Sequence, residues 1–297
     1  MTVSSRSWTS GAAATVVMLA IATAACGVDI DTAPGVATPH VGLSKTDVMV
    51  GGPLEMTYTF SVAASAPPFP DDCAVFVHFS DVDGEYLWGD DHQPSTPTQQ
   101  WKSGDVIEYT RTVFVPRIPY VGETRVEIGI VTPAGERLPL SAAVAGPRVY
   151  PVASFNLDLQ PDALFVVFRE GWHLAERSDD GLQEWHWSAD EATLVFRNPR
   201  QDVLWYLELE RAEGFPEPQQ VELRIGDTVI DAFSLSPSEA DLRKISLTAD
   251  QLGSGETVEV RLSVDRTFVP ALVAGRGNSD SRELGVKVFR AFVEPIP

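Results

Sequence analysis

This sequence predicts an all-β fold, two antiparallel β-sandwiches in tandem, and three observations support that. Apolar and polar residues alternate with a period of two in one short segment after another, the pattern of half-buried strands. Asp-Gly, Gly-Asp and Pro-Ala-Gly steps separate the segments, and such steps close hairpins because glycine tolerates the backbone they need. Only Ser236 to Arg243 reads as a helix, with Ser238 placed to cap Glu239-Ala240-Asp241. At 297 residues the chain exceeds one typical small domain.

Residues 1–25 carry a single charge, Arg6, and an apolar run from Ala12 to Ala25. That run is short for a membrane span but suits the apolar core of a secretory signal. It ends in Thr23-Ala24-Ala25-Cys26-Gly27, which resembles the lipobox of bacterial lipoproteins. The resemblance implies cleavage before Cys26, acylation of its thiol and a lipid-anchored, extracytoplasmic protein of the cell envelope. Thr23 stands where such boxes prefer Leu. Plain secretion after cleavage near Ala24 or Ala25 is the alternative, and an uncleaved anchor is a third. Residues 26–40, rich in Asp, Pro and Gly, read as a tether without a core of its own.

Cys26 and Cys73 are the only cysteines. A lipidated Cys26 leaves Cys73 alone; an unmodified one leaves a Cys26–Cys73 bridge open in an oxidising compartment. Cys73 lies in an apolar strand and reads as a small hydrophobe rather than a catalytic thiol. The chain has 22 basic and 42 acidic residues, net −20. That balance argues against a nucleic-acid partner and against attraction to anionic headgroups.

The first module spans residues 41–148. Leu54, Met56, Tyr58 and Phe60 alternate with polar residues, as do Val75, Val77 and Phe79. Val82-Asp83-Gly84 turns the chain into Tyr86-Leu87-Trp88. Ile107 and Tyr109 begin a strand that Pro116 stops. Val126, Ile128 and Ile130 form another, and Pro133-Ala134-Gly135 leads to Arg137-Leu138-Pro139-Leu140. This spacing predicts an antiparallel sandwich of immunoglobulin-like size. Its motifs are His78, Asp83-Gly84, Asp91-His92-Gln93-Pro94, Trp101-Lys102-Ser103-Gly104-Asp105 and Gly135-Glu136-Arg137-Leu138-Pro139. In that order they resemble the small β-sandwich modules attached to membrane-bound bacterial glycosyltransferases. Tyr120-Val121-Gly122-Glu123-Thr124 replaces the usual Pro-x-Gly-x-Tyr. The resemblance implies an architecture and a location, not an activity. Asp81, Asp83, Asp90 and Asp91, with His92, are the densest metal-capable group, and calcium is the ion such oxygens would suit. Asp81-x-Asp83-Gly84 lacks the third oxygen position and the distal Glu of a calcium loop, and turn chemistry alone selects Asp before Gly. No cofactor is expected.

The second module spans residues 149–297. Phe165–Phe168, Ala192–Phe196, Val203–Leu209, Val221–Ile225, Phe233–Leu235, Ile245–Leu247 and Val258–Val264 read as strands, with a turn at Gly226-Asp227. The count and one long loop predict a jelly roll or related sandwich. Trp185 and Trp187 bracket His186, so both indoles fall on one face of a strand and His186 on the other. Gly171-Trp172, the Trp185-His186-Trp187 strand, Thr267-Phe268-Val269-Pro270 and Asp280-Ser281-Arg282-Glu283-Leu284-Gly285-Val286 resemble the galactose-binding-like sandwiches of bacterial envelope glycosyltransferases and exported proteins.

A sugar site needs an aromatic face and a few fixed hydrogen-bonding groups. Trp172, Trp185 and Trp187 are the candidates for the face, and His173, Asn278, Asp280 and Arg282 for the polar part. The competing reading puts the indoles in the core and makes Asp280–Arg282 a pair that pins the loop. No phosphate loop, His-x-x-x-His, Cys-x-x-Cys or Gly-x-Ser-x-Gly is present, so no enzyme is expected, although the many carboxylates leave a glycosidase pair open. The expected function is non-catalytic recognition of envelope or extracellular glycan. The alternative is an assembly subunit docking on a membrane glycosyltransferase or another envelope protein.

Overall fold

The computed structural model describes residues 33–159, 165–178, 183–211, 217–236, 240–272 and 279–296. The expected signal, Cys26 and the start of the tether lie outside them. Among the described residues no helix is long and apolar enough to cross a membrane.

The fold is all-β. In the first sandwich, β1 (Ala37–Leu43), β3 (Pro53–Val62) and β6 (Val106–Phe114) form one sheet in the order β1-β3-β6. The facing sheet runs β2 (Asp47–Met49), β9 (Tyr150–Asp158), β7 (Gly122–Val131), β4 (Ala74–Ser80), β5 (Tyr86–Gly89), with β8 (Arg137–Leu138) on β7. The pairs are antiparallel except β2–β9, which is parallel. Leu54, Met56, Tyr58 and Phe60 meet Val75, Val77, Phe79, Val126, Ile128 and Ile130 between the sheets. The period-two residues are therefore the core. Gly84 turns β4 into β5 with a φ of 85°.

Two boundaries differ from the sequence reading. Residues 37–40, read as tether, lie in β1, where Ala37 faces Val62 and Pro39 faces Phe60. β1 is an edge strand, the place in a sheet that accepts a proline. Tyr150–Asp158, read as the start of the second module, is β9 of the first. Its Tyr150, Phe155 and Leu157 are buried in the first core, and the Tyr150 hydroxyl accepts a hydrogen bond from the Leu140 N–H at 2.8 Å.

The second sandwich has two five-stranded sheets. One runs β10 (Val167–Phe168), β13 (Glu191–Arg197), β18 (Thr257–Val264), β15 (Gln219–Ile225), β16 (Thr228–Leu235). The other runs β11 (Glu176–Arg177), β12 (Glu184–Trp187), β19 (Val286–Pro295), β14 (Val203–Arg211), β17 (Asp241–Leu247). Trp205 is fully buried between them among Leu194, Leu223, Val260 and Val288. The helix expected at Ser236–Arg243 is not formed over Asp241–Arg243, which belong to β17 and pair with Leu209 to Leu207; residues 237–239 lie outside the described ones. Backbone pairing with β14 overrides the local capping signal. A one-turn helix, α1 (Ala249–Leu252), forms instead, with a capping box between Thr248 and Gln251.

Residues 34–297 form one compact unit. Across the two sandwiches Lys45 pairs with Glu294 and Lys244 with Glu55. Tyr206 packs edge-on against Phe114 at 6.0 Å and donates a hydrogen bond to Glu294.

Candidate functional site

The residues singled out in the sequence separate into three places. Around the β4–β5 hairpin, each acidic group has its own task. Asp81 Oδ1 accepts from the N–H groups of Asp83 and Glu85 at 2.9 Å, a turn that the side chain closes. Asp90 takes the Arg111 fork at 3.1 and 3.2 Å, and Asp91 accepts from the Val77 N–H. Among the described residues no three His, Cys, Asp or Glu side chains stand together as a metal site. Cys73 is buried, and burial raises its thiol pKa.

The tryptophans do not form one platform. Trp185 and Trp187 share the outer face of their sheet, with the Lys287 ammonium 5.3 Å from each ring. Trp187 is only 7% exposed, packed with Leu284 and Phe268. Phe268 and Leu284 exchange backbone hydrogen bonds at 2.9 and 2.8 Å, and Phe268 packs on Trp187. Trp172 lies with the other face. Its N–H donates to the Thr193 carbonyl, and its ring meets Phe168 and His186. A shared Trp172–Trp185–Trp187 sugar shelf is therefore not what the fold builds.

Asp280 and Arg282 do pair. The Arg282 fork reaches Asp280 at 3.0 and 2.7 Å and extends its other nitrogen to Glu176 of β11 at 2.6 Å. The guanidinium holds the Asp280 carboxyl down at about 2, and the two carboxylates raise the Arg282 value. His173 Nε2 donates to the Glu283 carbonyl at 2.8 Å. Ser188 and Gln219, both fully buried, bind the Val286 N–H and the carbonyls of Arg266 and Gly285. These contacts fasten the end of the loop to the sheet. Asn278 lies outside the described residues.

A different place has the shape of a binding site. A cleft of about 640 Å³ opens where the second sandwich faces the end of β6. Phe114, Phe165, Phe168, His186 and Phe289 supply its rings, and Arg117, Arg177, Gln183, Glu184, Glu208 and Arg290 its polar groups. His186 is stacked on Phe168 with centroids 4.1 Å apart. A β-bulge makes this lining. Along β19, Arg290 pairs with Glu208 but Val288 with Leu209, so Phe289 has no opposite residue. Without the extra residue, Phe289 and Arg290 would fall on opposite faces. With it, both border the cleft, while Val288 and Ala291 pack on the core. Arg290 binds Glu208 at 3.0 Å and lies 4.9 Å from the centre of the Phe114 ring. Burial raises the Glu208 carboxyl pKa, and Arg290 opposes that rise.

The sequence reading missed this cleft, although a signal was present. Core residues in Val286-Lys287-Val288-Phe289-Arg290-Ala291-Phe292-Val293 change phase after Val288, as a one-residue bulge requires.

The molecule is thus a tandem β-sandwich protein with a cleft lined by rings and charges. No family model matches the chain, and no curated protein matches it. Solved structures match the chain only at low similarity. The C-terminal domain of wzt is 13% identical, over 43% of this chain and 77% of that one, with a TM-score of 0.30. SGBP-B from a complex xyloglucan utilization locus in Bacteroides uniformis is 11% identical, over 88% of this chain and 74% of that one, with a TM-score of 0.29. The alkylpurine DNA glycosylase AlkC of Pseudomonas fluorescens is 14% identical over 42% of this chain, with a TM-score of 0.27; the match spans 31% of that protein. At these scores the similarity carries no argument about ligands.

Proposed function

We propose that this chain is a non-catalytic, exported protein that binds glycan in the cleft beside β19. One observation carries the reading: the bulge that turns both Phe289 and Arg290 onto a cavity large enough for a short oligosaccharide. The rings of Phe289, Phe168 and Phe114 offer apolar faces to pyranose C–H groups, and Gln183, Glu184 and the arginines offer fixed partners for hydroxyls. Export and anchoring through Cys26 belong to the same proposal and rest on the signal-like first 25 residues and the lipobox resemblance. A Cys26→Ser protein that stays processed and membrane-bound would contradict the anchor.

The test of binding is a glycan array on the purified chain, repeated with Phe289→Ala. The half-buried Phe289 touches the Trp185 ring at 6.1 Å, so its loss should leave the melting temperature within a few degrees. A glycan signal that falls at least tenfold supports the site. Unchanged binding by a folded variant moves the site elsewhere.

The docking alternative has its own observation. Leu174 and Leu272 are 89% and 82% exposed on the two loops that His173–Glu283 and Ala271–Asp280 hydrogen bonds tie to the same segment. A Leu174→Ser, Leu272→Ser protein that binds glycan normally but loses an envelope partner would favour it.

A further inference from the structure

We infer that the glycan taken by this cleft is acidic, a saccharide whose uronic acid carboxylate is received by Arg117 and Arg290. The inference rests on the glycan reading above and deepens it. Among the described residues three arginines and two glutamates border the cleft, one positive charge in excess on a chain whose net charge is −20. A local reversal of sign against such a background needs a reason, because exposed charges beyond roughly 8–10 Å are screened in physiological salt and a ligand in the cleft responds mainly to the groups around it.

The three arginines are not equally committed. Arg177 gives both Nε and an Nη to Glu184 at 2.7 Å. Arg290 pairs with Glu208 through Nε at 3.0 Å, and among the described residues no second ion-pair partner is found for it. Its guanidinium is held from behind by Glu208 and from one side by the Phe114 ring, yet its side chain is 44% exposed. That is a planar donor pair already oriented, so little rotamer freedom remains to be lost on binding. Arg117 is exposed and, among the described residues, has no ion pair or hydrogen bond. Arginine binds a carboxylate through two parallel N–H···O contacts, a geometry a neutral hydroxyl cannot match. Phe289, brought beside Arg290 by the bulge, would receive the apolar face of the same residue.

The experiment compares oligogalacturonate and oligomannuronate with their carboxyl-reduced, neutral forms by calorimetry on the purified chain, with Arg117→Ala, Arg117→Lys and Phe289→Ala. Arg117 is exposed and, among the described residues, without an ion pair or hydrogen bond, so the melting temperature should not move. The expected result is at least tenfold tighter binding of an acidic oligosaccharide than of its neutral form. Arg117→Ala should lose fivefold or more, Arg117→Lys should recover part of it, and affinity should fall as salt rises from 50 to about 300 mM. Equal affinity for acidic and neutral forms, lowered by Phe289→Ala but untouched by Arg117→Ala, overturns the charge inference and leaves the glycan site standing. No binding of either form overturns both.

Discussion

His92 is buried between two partners that fix its protonation. The Asp90 carbonyl, 2.8 Å away, can only accept, so Nδ1 carries the proton; Nε2 then accepts from the Tyr109 hydroxyl at 2.9 Å. Burial lowers the His92 pKa, and Arg111 adds to this, while the Asp90 carbonyl, Asp90 and Asp91 oppose it. Tyr109 and Tyr58 beside it are raised by burial and stay neutral. A group whose folded value lies below 6.5 binds protons more readily when unfolded. Stability should therefore fall as pH drops through about 6.5 towards the folded value, and be fully present above it. Urea midpoints at pH 7.5 and 5.5 should show that loss, and His92→Gln, which hydrogen-bonds without titrating there, should flatten the slope. An equal slope in the variant would place the acid sensitivity elsewhere. Asp280 acts in a lower window: its value is held at about 2, so its contribution is lost only as pH falls from 3.8 towards 2.

At the scale of an element, Arg282 ties the residues that enter β19 to β11, through Asp280 and Glu176. Removing the fork frees two carboxylates, both partly exposed, and each such pair contributes about 0.2–1 kcal/mol. Arg282→Ala should lower the melting temperature by a few degrees and shift tryptophan emission to the red, because Trp187 packs under Phe268 and Leu284. Lower stability with unchanged emission would show that the cover stays closed without the fork. Gly171 sets the other end of this region. Its φ is 76°, and a Cβ there would stand 1.9 Å from the Glu191 carbonyl oxygen. Gly171→Ala should cost roughly 2 kcal/mol or more, combining a disfavoured backbone with a collision against main chain. Denaturant melts would measure it, and a neutral result would mean that β13 moves freely. Sequence pattern indicated this region as organising the module, since a Gly, Asn and Ser-rich stretch before an apolar strand marks a long loop. Only the fold showed that Phe268 and Leu284, on either side of that stretch, bury Trp187 rather than leaving it displayed.

Among the described residues, Tyr206 lies where the two sandwiches meet. It lies on the polar-looking face of β14, opposite the core residues Trp205 and Leu207, yet is only 4% exposed because Phe114 and Glu294 cover it. Tyr206→Ala should weaken the junction and separate a single calorimetric transition into two, since each sandwich has its own core. One undivided transition in that variant would show that the Lys45–Glu294 and Lys244–Glu55 pairs suffice. The cleft belongs to this scale too. Phe114 and Arg117 come from one sandwich and Phe289, Arg290 and Glu208 from the other, so the site exists only while the two stay joined.

The sequence by itself determined the strands and their inward residues. Burial selects one face of each strand, and a period of two records that choice in the chain: Leu54 to Phe60, Val126 to Ile130 and Val203 to Leu209 are legible for this reason. It also determined the Asp81–Gly84 turn, where side chain and backbone act within a few residues. Tertiary structure decided what local pattern does not encode. Strand pairing placed Tyr150–Asp158 in the first sandwich and made Asp241–Arg243 a strand, because hydrogen bonds to a distant neighbour outweigh a cap worth about 1 kcal/mol. It buried Trp187 against Phe268 and Leu284 and assembled a cleft from Phe114 and Phe289, 175 positions apart in the chain. Alternation shows which face of a strand is apolar, but not which other surface will come to lie against it.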